Sequence, residues 1–308
     1  MTASRPGGPV VVGVTDGDDD AVEWAAAEAA TRRCPLVLVH VVRSPVVLDT
    51  YGCTPIVDCP PDAYSVGGEL LRAALGRARS VAPELAITAL MFGGVADRVL
   101  VEWSNDAALL VLGGRGVRRT ALGSVAGRVA GRASCPVIVV RRRPRTPAPD
   151  RGPRVVVGID AGRCRGAAIE FAFRAAAQRG VPLVAVHAWD GDRPADLEGV
   201  CGAPAVAEAG VRQALDRVLG PWREQFADVP VRVRLERADP AAALVSESEG
   251  AALVVVGPPG RGPVLRALLG SVSRTLVRRS RCPLAVVGPA RTVARRPDAG
   301  QDSAHHPR

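Results

Sequence analysis

The chain contains no lysine: all 40 of its basic residues are arginine. That absence excludes P-loop nucleotide hydrolases, protein kinases and pyridoxal enzymes, each of which needs a lysine at the phosphate or at the cofactor. Aromatic residues make up only 3% of the 308 residues, with four Trp, four Phe and two Tyr, so little is present to stack on nucleic-acid bases. The net charge of +9 is thinly spread, with 17 Arg against 14 acids in residues 1–148 and 23 against 17 in residues 149–308. Local clusters occur at Arg141-Arg142-Arg143 and Arg278-Arg279. Such basicity permits contact with nucleic acid or anionic membrane, but the dispersed charge and few rings argue against a nucleic-acid partner. The seven Cys form no C-x-x-C pair. Cys34, Cys135 and Cys282 each precede Pro at the start of an apolar run and read as small core residues. Cys53, Cys59 and Cys201 fall in unpatterned stretches, where plain loop residues are favoured over a metal site. No apolar stretch reaches the ~18 residues of a membrane helix, and Met1–Val14 shows no secretory signal. The expectation is a cytoplasmic protein with reduced thiols and no membrane association.

What is present is said twice. Trp24 and Phe171, His40 and His187, Gly123-Ser124 and Gly270-Ser271, and Cys135-Pro136 and Cys282-Pro283 are each 147 residues apart. Solenoid repeats recur every ~20–50 residues, so this period marks a duplicated domain. Each copy is long enough to bury its own core. Expected domains are 9–141 and 154–288, joined by an Arg/Pro-rich linker at 142–153 and followed by a polar, disordered tail at 289–308.

In the first copy the pattern predicts strands at Val10–Val14, Leu36–Val42, Leu85–Met91, Ala107–Leu112 and Pro136–Val140. Helices are predicted at Ala21–Arg33, Glu69–Val81, Ala96–Ser104 and Ser124–Arg132, with Arg43–Ser65 as loop. The second copy repeats this, with strands at Val155–Ile159, Leu183–His187, Val231–Leu235, Ala252–Val256 and Leu284–Val287. Its helices are predicted at Ala167–Arg179, Ala207–Phe226, Ala241–Glu249 and Ser271–Arg279. Near-continuous apolar strands alternating with helices mean an α/β fold, with a parallel sheet covered on both faces. The closing strands would lie at sheet edges, where unpaired backbone groups invite pairing, and are expected to pair with each other.

Open parallel sheets bind ligands at the carboxyl ends of strands where the connections reverse. In the second copy the first strand ends in Gly158-Ile159-Asp160. The fourth ends in Gly257-Pro258-Pro259-Gly260, with nine residues before Gly270-Ser271-Val272-Ser273 opens a helix. Glycines let backbone amides approach an anion, and the helix N-terminus adds free N–H groups and a positive dipole end. Asp160 could accept from an adenine amino group or a ribose, or cap the following helix; Ser271 could meet a ligand or serve as an N-cap alone. His40 and His187, at matching strand ends, read as packed or hydrogen-bonded core residues rather than catalysts.

The G-2x-G-9x-G-S string, the opening Val155–Asp160, the strand ending Val186-His187-Ala188-Trp189 and the closing Ser280-Arg281-Cys282-Pro283 together resemble the universal stress protein family. The resemblance covers both copies. It implies for each an open five-stranded parallel sheet of order 3-2-1-4-5 with helices on both faces, the two packed as an intrachain pseudo-dimer. It also implies binding of ATP or another adenine nucleotide, with Mg²⁺ as companion ion, and a role as a stress-response regulator acting on a protein partner. Carried onto this chain, Asp160 and the backbone at Ala188 would meet the base and ribose. Gly257, Gly260, Gly270, Ser271, Val272 and Ser273 would line the phosphates, although Pro258 and Pro259 have no N–H to donate. No catalytic residue and no metal site is expected. The alternative is a scaffold of the same fold that binds no nucleotide.

The first copy departs from that pattern. Only six residues separate Gly113-Gly114-Arg115-Gly116 from Gly123-Ser124-Val125, and its first loop is two residues shorter, Thr15 standing where the Asp is expected and Asp16 shifted by one. Asp16, Asp18, Asp19 and Asp20 would repel a triphosphate unless a divalent cation intervened. Its counterpart positions Asp16, Val41, Gly113, Gly116, Gly123, Ser124 and Val125 therefore read as a degenerate site.

Overall fold

A computed structural model describes residues 8–42, 46–48, 55–57, 62–114, 125–141, 152–160, 166–190, 204–257 and 269–288. The N-terminal copy runs β1 (Val10–Gly13), α1 (Asp19–Arg32), β2 (Leu36–Val42), β3 (Val46–Leu48), β4 (Pro55–Val57), α2 (Ala63–Val81), β5 (Ile87–Gly93), α3 (Ala96–Trp103), β6 (Leu109–Gly113), α4 (Val125–Arg132) and β7 (Val137–Val140). The C-terminal copy runs β8 (Val155–Gly158), α5 (Gly166–Arg179), β9 (Leu183–Trp189), α6 (Pro204–Gln225), β10 (Val231–Arg237), α7 (Pro240–Glu247), β11 (Leu253–Val256), α8 (Ser271–Arg279) and β12 (Leu284–Val286). The expected linker, apart from Gly152 and Pro153, and the expected tail beyond Gly288 lie outside the described residues.

The strands form one sheet in the order β10-β9-β8-β11-β12-β7-β6-β1-β2-β5. Each half has the 3-2-1-4-5 order and is parallel throughout. The halves meet where β12 runs antiparallel to β7, with Leu284 opposite Val139 and Val286 opposite Val137, so the whole sheet is mixed. Strand residues alternate between two cores. Val10, Val12, Leu109, Val111, Val155 and Val157 face α1, α2, α5 and α6; Val11, Leu110, Val156 and Val254 face α3, α4, α7 and α8. Burial on both faces is why these strands read as continuous apolar runs.

Two local expectations needed correction. Within Arg43–Ser65, expected to be loop, β3 and β4 pair antiparallel, Val46 opposite Val57; runs of three residues are too short to show a period. Helix α2 begins at Ala63 rather than Glu69. Its first turns carry exposed Tyr64 and Val66 and two consecutive glycines, so they lack an apolar stripe. Tertiary contact holds them instead: a methyl at Gly67 would fall 2.7 Å from the His40 ring, and only glycine lets α2 approach β2 so closely.

Candidate functional site

In the C-terminal copy, β8 sits between β9 and β11, and the chain leaves β8 and β11 toward opposite sides of the sheet. The crevice at their carboxyl ends collects several of the expected residues. Ile159 continues the ladder, its amide donating to the Val186 carbonyl at 2.8 Å, which sets the exposed Asp160 beside the end of β9. Ala188 lies half-buried on β9. Gly257 follows β11, and the buried Ser273 hydroxyl donates to its carbonyl at 3.4 Å. Ser271 and Val272 open α8. Gly260 lies outside the described residues.

Two features leave this crevice receptive to an anion. Gly270 is the N-cap of α8 and supplies no side-chain acceptor, so the amides of the first turn are not satisfied by a cap. Helix α7 differs: its N-cap Asp239 accepts from the Ala242 amide at 2.8 Å. The second feature is space. Among the described residues, a methyl at Gly257 would meet only the Ala168 side chain, at 3.8 Å.

The N-terminal copy fills the same place with its own carboxylate. A methyl at Gly113 would fall 1.8 Å from Asp18 Oδ1. Asp18 is only 8% exposed, and Thr15 Oγ1 donates to its Oδ2 at 2.8 Å. The acid next to the expected position, Asp16, is exposed instead, and Asp19 pairs outward with Arg77 at 3.1 Å. Of the acidic run, then, Asp18 is the residue that turns inward, as the N-cap residue of α1. In the sequence it stands undistinguished among the repelling acids, and the shortened β1–α1 loop is the one signal of its particular place. Val41 is half-buried on β2 and Val125 opens α4, while Gly116, Gly123 and Ser124 lie outside the described residues.

The two histidines are committed to structure. His187 Nδ1 donates to the Ile159 carbonyl and His40 Nδ1 to the Val14 carbonyl, both at 2.8 Å; the buried His187 ring also stacks on Trp189. Cys135 and Cys282 are buried, and Cys34 is partly so. Cys53, Cys59 and Cys201 lie outside the described residues, and among those described no group of three potential metal ligands occurs. Nor is any described helix long and apolar enough to cross a membrane.

Comparison with known proteins agrees with this architecture. The model of the universal stress protein family matches residues 8–141 and again 153–288. The Mycobacterium tuberculosis universal stress protein Rv2005c is 37% identical over 305 residues, spanning 93% of this chain and 99% of its own. Among solved structures, a universal stress protein from Archaeoglobus fulgidus superposes with a TM-score of 0.65 at 19% identity, over 93% of this chain and 97% of its own. A universal stress protein solved in complex with cAMP matches 43% of this chain and 96% of its own, with 28% identity and a TM-score of 0.35.

Proposed function

We propose, given that the chain belongs to the universal stress protein family as a tandem member, that it binds one adenine nucleotide per chain, in the C-terminal copy. The observation that carries this reading is the contrast at the motif's first glycine. Among the described residues, a methyl at Gly257 would meet only the Ala168 side chain, at an ordinary 3.8 Å, whereas one at Gly113 would fall 1.8 Å from Asp18 Oδ1. The phosphates would meet the uncapped first turn of α8, with the hydroxyls of Ser271 and Ser273 beside them, and the helix dipole favours negative charge there. Base and ribose would lie toward Asp160 and Ala188, as the family's motif implies. Mg²⁺ would accompany ATP as its counter-ion.

The role we infer is regulation of a stress response in the cytoplasm rather than catalysis. His187 is 4% exposed, hydrogen-bonded through Nδ1 to the Ile159 carbonyl and stacked on Trp189, the setting of a packed core residue. Nucleotide would act by changing the surface offered to the partner, and a ligand shifts only states that it binds differently.

Calorimetric titration of the full chain with ATP and Mg²⁺ tests the reading. One nucleotide per chain is expected, and none in Gly257→Val, a variant whose added side chain projects into the crevice. Because Ala168 is the sole described neighbour there, the variant should fold. Two sites per chain, or unchanged binding by Gly257→Val, would place the site elsewhere; a flat titration of the native protein would favour the scaffold alternative.

A further inference from the structure

The two copies differ at the crossing of their last two helices. In the N-terminal copy, Asp97 near the start of α3 is buried and clamps α4: Arg128 Nε donates to it at 2.8 Å, and Arg132 Nη1 lies 3.8 Å away. The equivalent positions in the C-terminal copy follow from shared contacts. Ser104 Oγ donates to the Val101 carbonyl and accepts from the Ser134 amide; Ser248 Oγ donates to the Val245 carbonyl and accepts from the Arg281 amide. With these matched, Ala241, Thr275 and Arg279 stand where Asp97, Arg128 and Arg132 stand. The second copy has kept one cation and lost the acid.

A groove of about 580 Å³ opens at that point between α7 and α8, and Ala241, Thr275 and Arg279 all line it, together with Val245, Val272 and Arg278. Its other charges are engaged. Arg281 pairs with Glu249, and Asp239 caps its own helix. Arg278 and Arg279 are exposed, and neither has an ion-pair partner among the described residues.

We propose that this groove is a docking surface for a partner protein that inserts an aspartate or glutamate side chain into the position Asp97 fills in the N-terminal copy. Arg279 and Arg278 receive the carboxylate, and Val245 and Val272 receive its methylene stem. The N-terminal copy is already closed by its own acid, so the partner engages one face of the chain. The proposal stands on the groove and does not depend on nucleotide binding.

Anisotropy titration of the full chain against a short fluorescein-labelled Glu-Ala-Leu peptide tests it. The control Ala241→Asp/Thr275→Arg rebuilds the internal clamp and leaves the net charge at +9, so attraction by overall charge is unchanged. The peptide should bind the native chain and bind this variant about tenfold more weakly, a difference of about 1.4 kcal/mol. Arg278→Gln/Arg279→Gln should lose binding as well, whereas Arg72→Gln/Arg79→Gln, with the same charge change on α2, should retain it. Equal binding by native and clamped chains, no binding by the native chain, or displacement of the peptide by an equal concentration of single-stranded oligonucleotide would each overturn the proposal.

Discussion

Cys135, at the head of β7, shows how burial sets the chemistry of one side chain. Desolvation disfavours its thiolate and pushes its pKa from 9.0 up to about 12, against smaller opposing effects of backbone hydrogen bonds. Between those values the unfolded chain has released the proton and the folded chain still holds it. Stability from this residue is therefore intact below pH 9 and falls as pH rises toward 12, by at most about 1.4 kcal/mol per pH unit. Urea midpoints of the native chain should drop across the range above pH 9, and Cys135→Ala should flatten that drop; an identical slope in the variant would refute the assignment. That Cys135 is a core residue was legible from its place before Pro136 and an apolar run. The role of Asp18 was not. Four acids stand in one short stretch, and which of them turns toward Gly113 depends on where the shortened loop places the first residue before α1.

At the scale of elements, equivalent ends are anchored by different chemistry in the two copies. Arg154 and Pro9 are equivalent, since their carbonyls accept from the amides of Ala252 and Ala108. Arg154 is 4% exposed and Glu247 2%. Arg154 Nη2 lies 3.3 Å from Glu247 Oε2 and donates to the carbonyls of Glu247 and Glu249 at the end of α7, while Arg234 of β10 reaches the other carboxylate oxygen. In the N-terminal copy Trp103 replaces the glutamate and packs edge-on against Phe92 of β5, ring centres 6.0 Å apart. Removing one member of a buried pair strands the other. Glu247→Met, which leaves the buried Arg154 guanidinium without its carboxylate, should therefore lower the unfolding free energy by about 3 kcal/mol, whereas Arg154→Met/Glu247→Met should recover part of that loss. Equal losses in single and double variants, measured by urea denaturation, would show the pair is not coupled. The helices and long strands themselves were legible because both faces of the sheet are buried, which leaves unbroken apolar runs. The network was not, because its residues come from β8, β10 and α7, far apart in the chain.

For the whole molecule, the junction between copies carries a broken symmetry. Across it, Arg32 lies over the Phe171 ring at 5.7 Å and Arg179 over the Trp24 ring at 5.8 Å, a reciprocal exchange between positions 147 apart. Both arginines also meet one carboxylate: Glu28, 5% exposed, takes Arg32 at 2.8 Å and Arg179 at 2.5 Å. The equivalent of Glu28 is the buried Ala175, so a single acid serves both copies. Glu28→Ala should cost about 2 kcal/mol in urea denaturation, and Glu28→Ala/Ala175→Glu should restore much of it, because the new acid precedes Arg179 by the same four residues and faces Arg32 across the junction. Failure of the second change to rescue the first would show that the two positions are not interchangeable. By itself the sequence determined the duplication, the α/β class, the strand order through its family resemblance and the weakness of the N-terminal motif, because periodicity, burial and motif spacing are written locally along the chain. Only the tertiary structure decided that Asp18 covers Gly113, that Glu28 joins two arginines, and that a groove opens where Asp97 has no counterpart. Each of these depends on distances between residues on different elements, and chain folding alone fixes those distances.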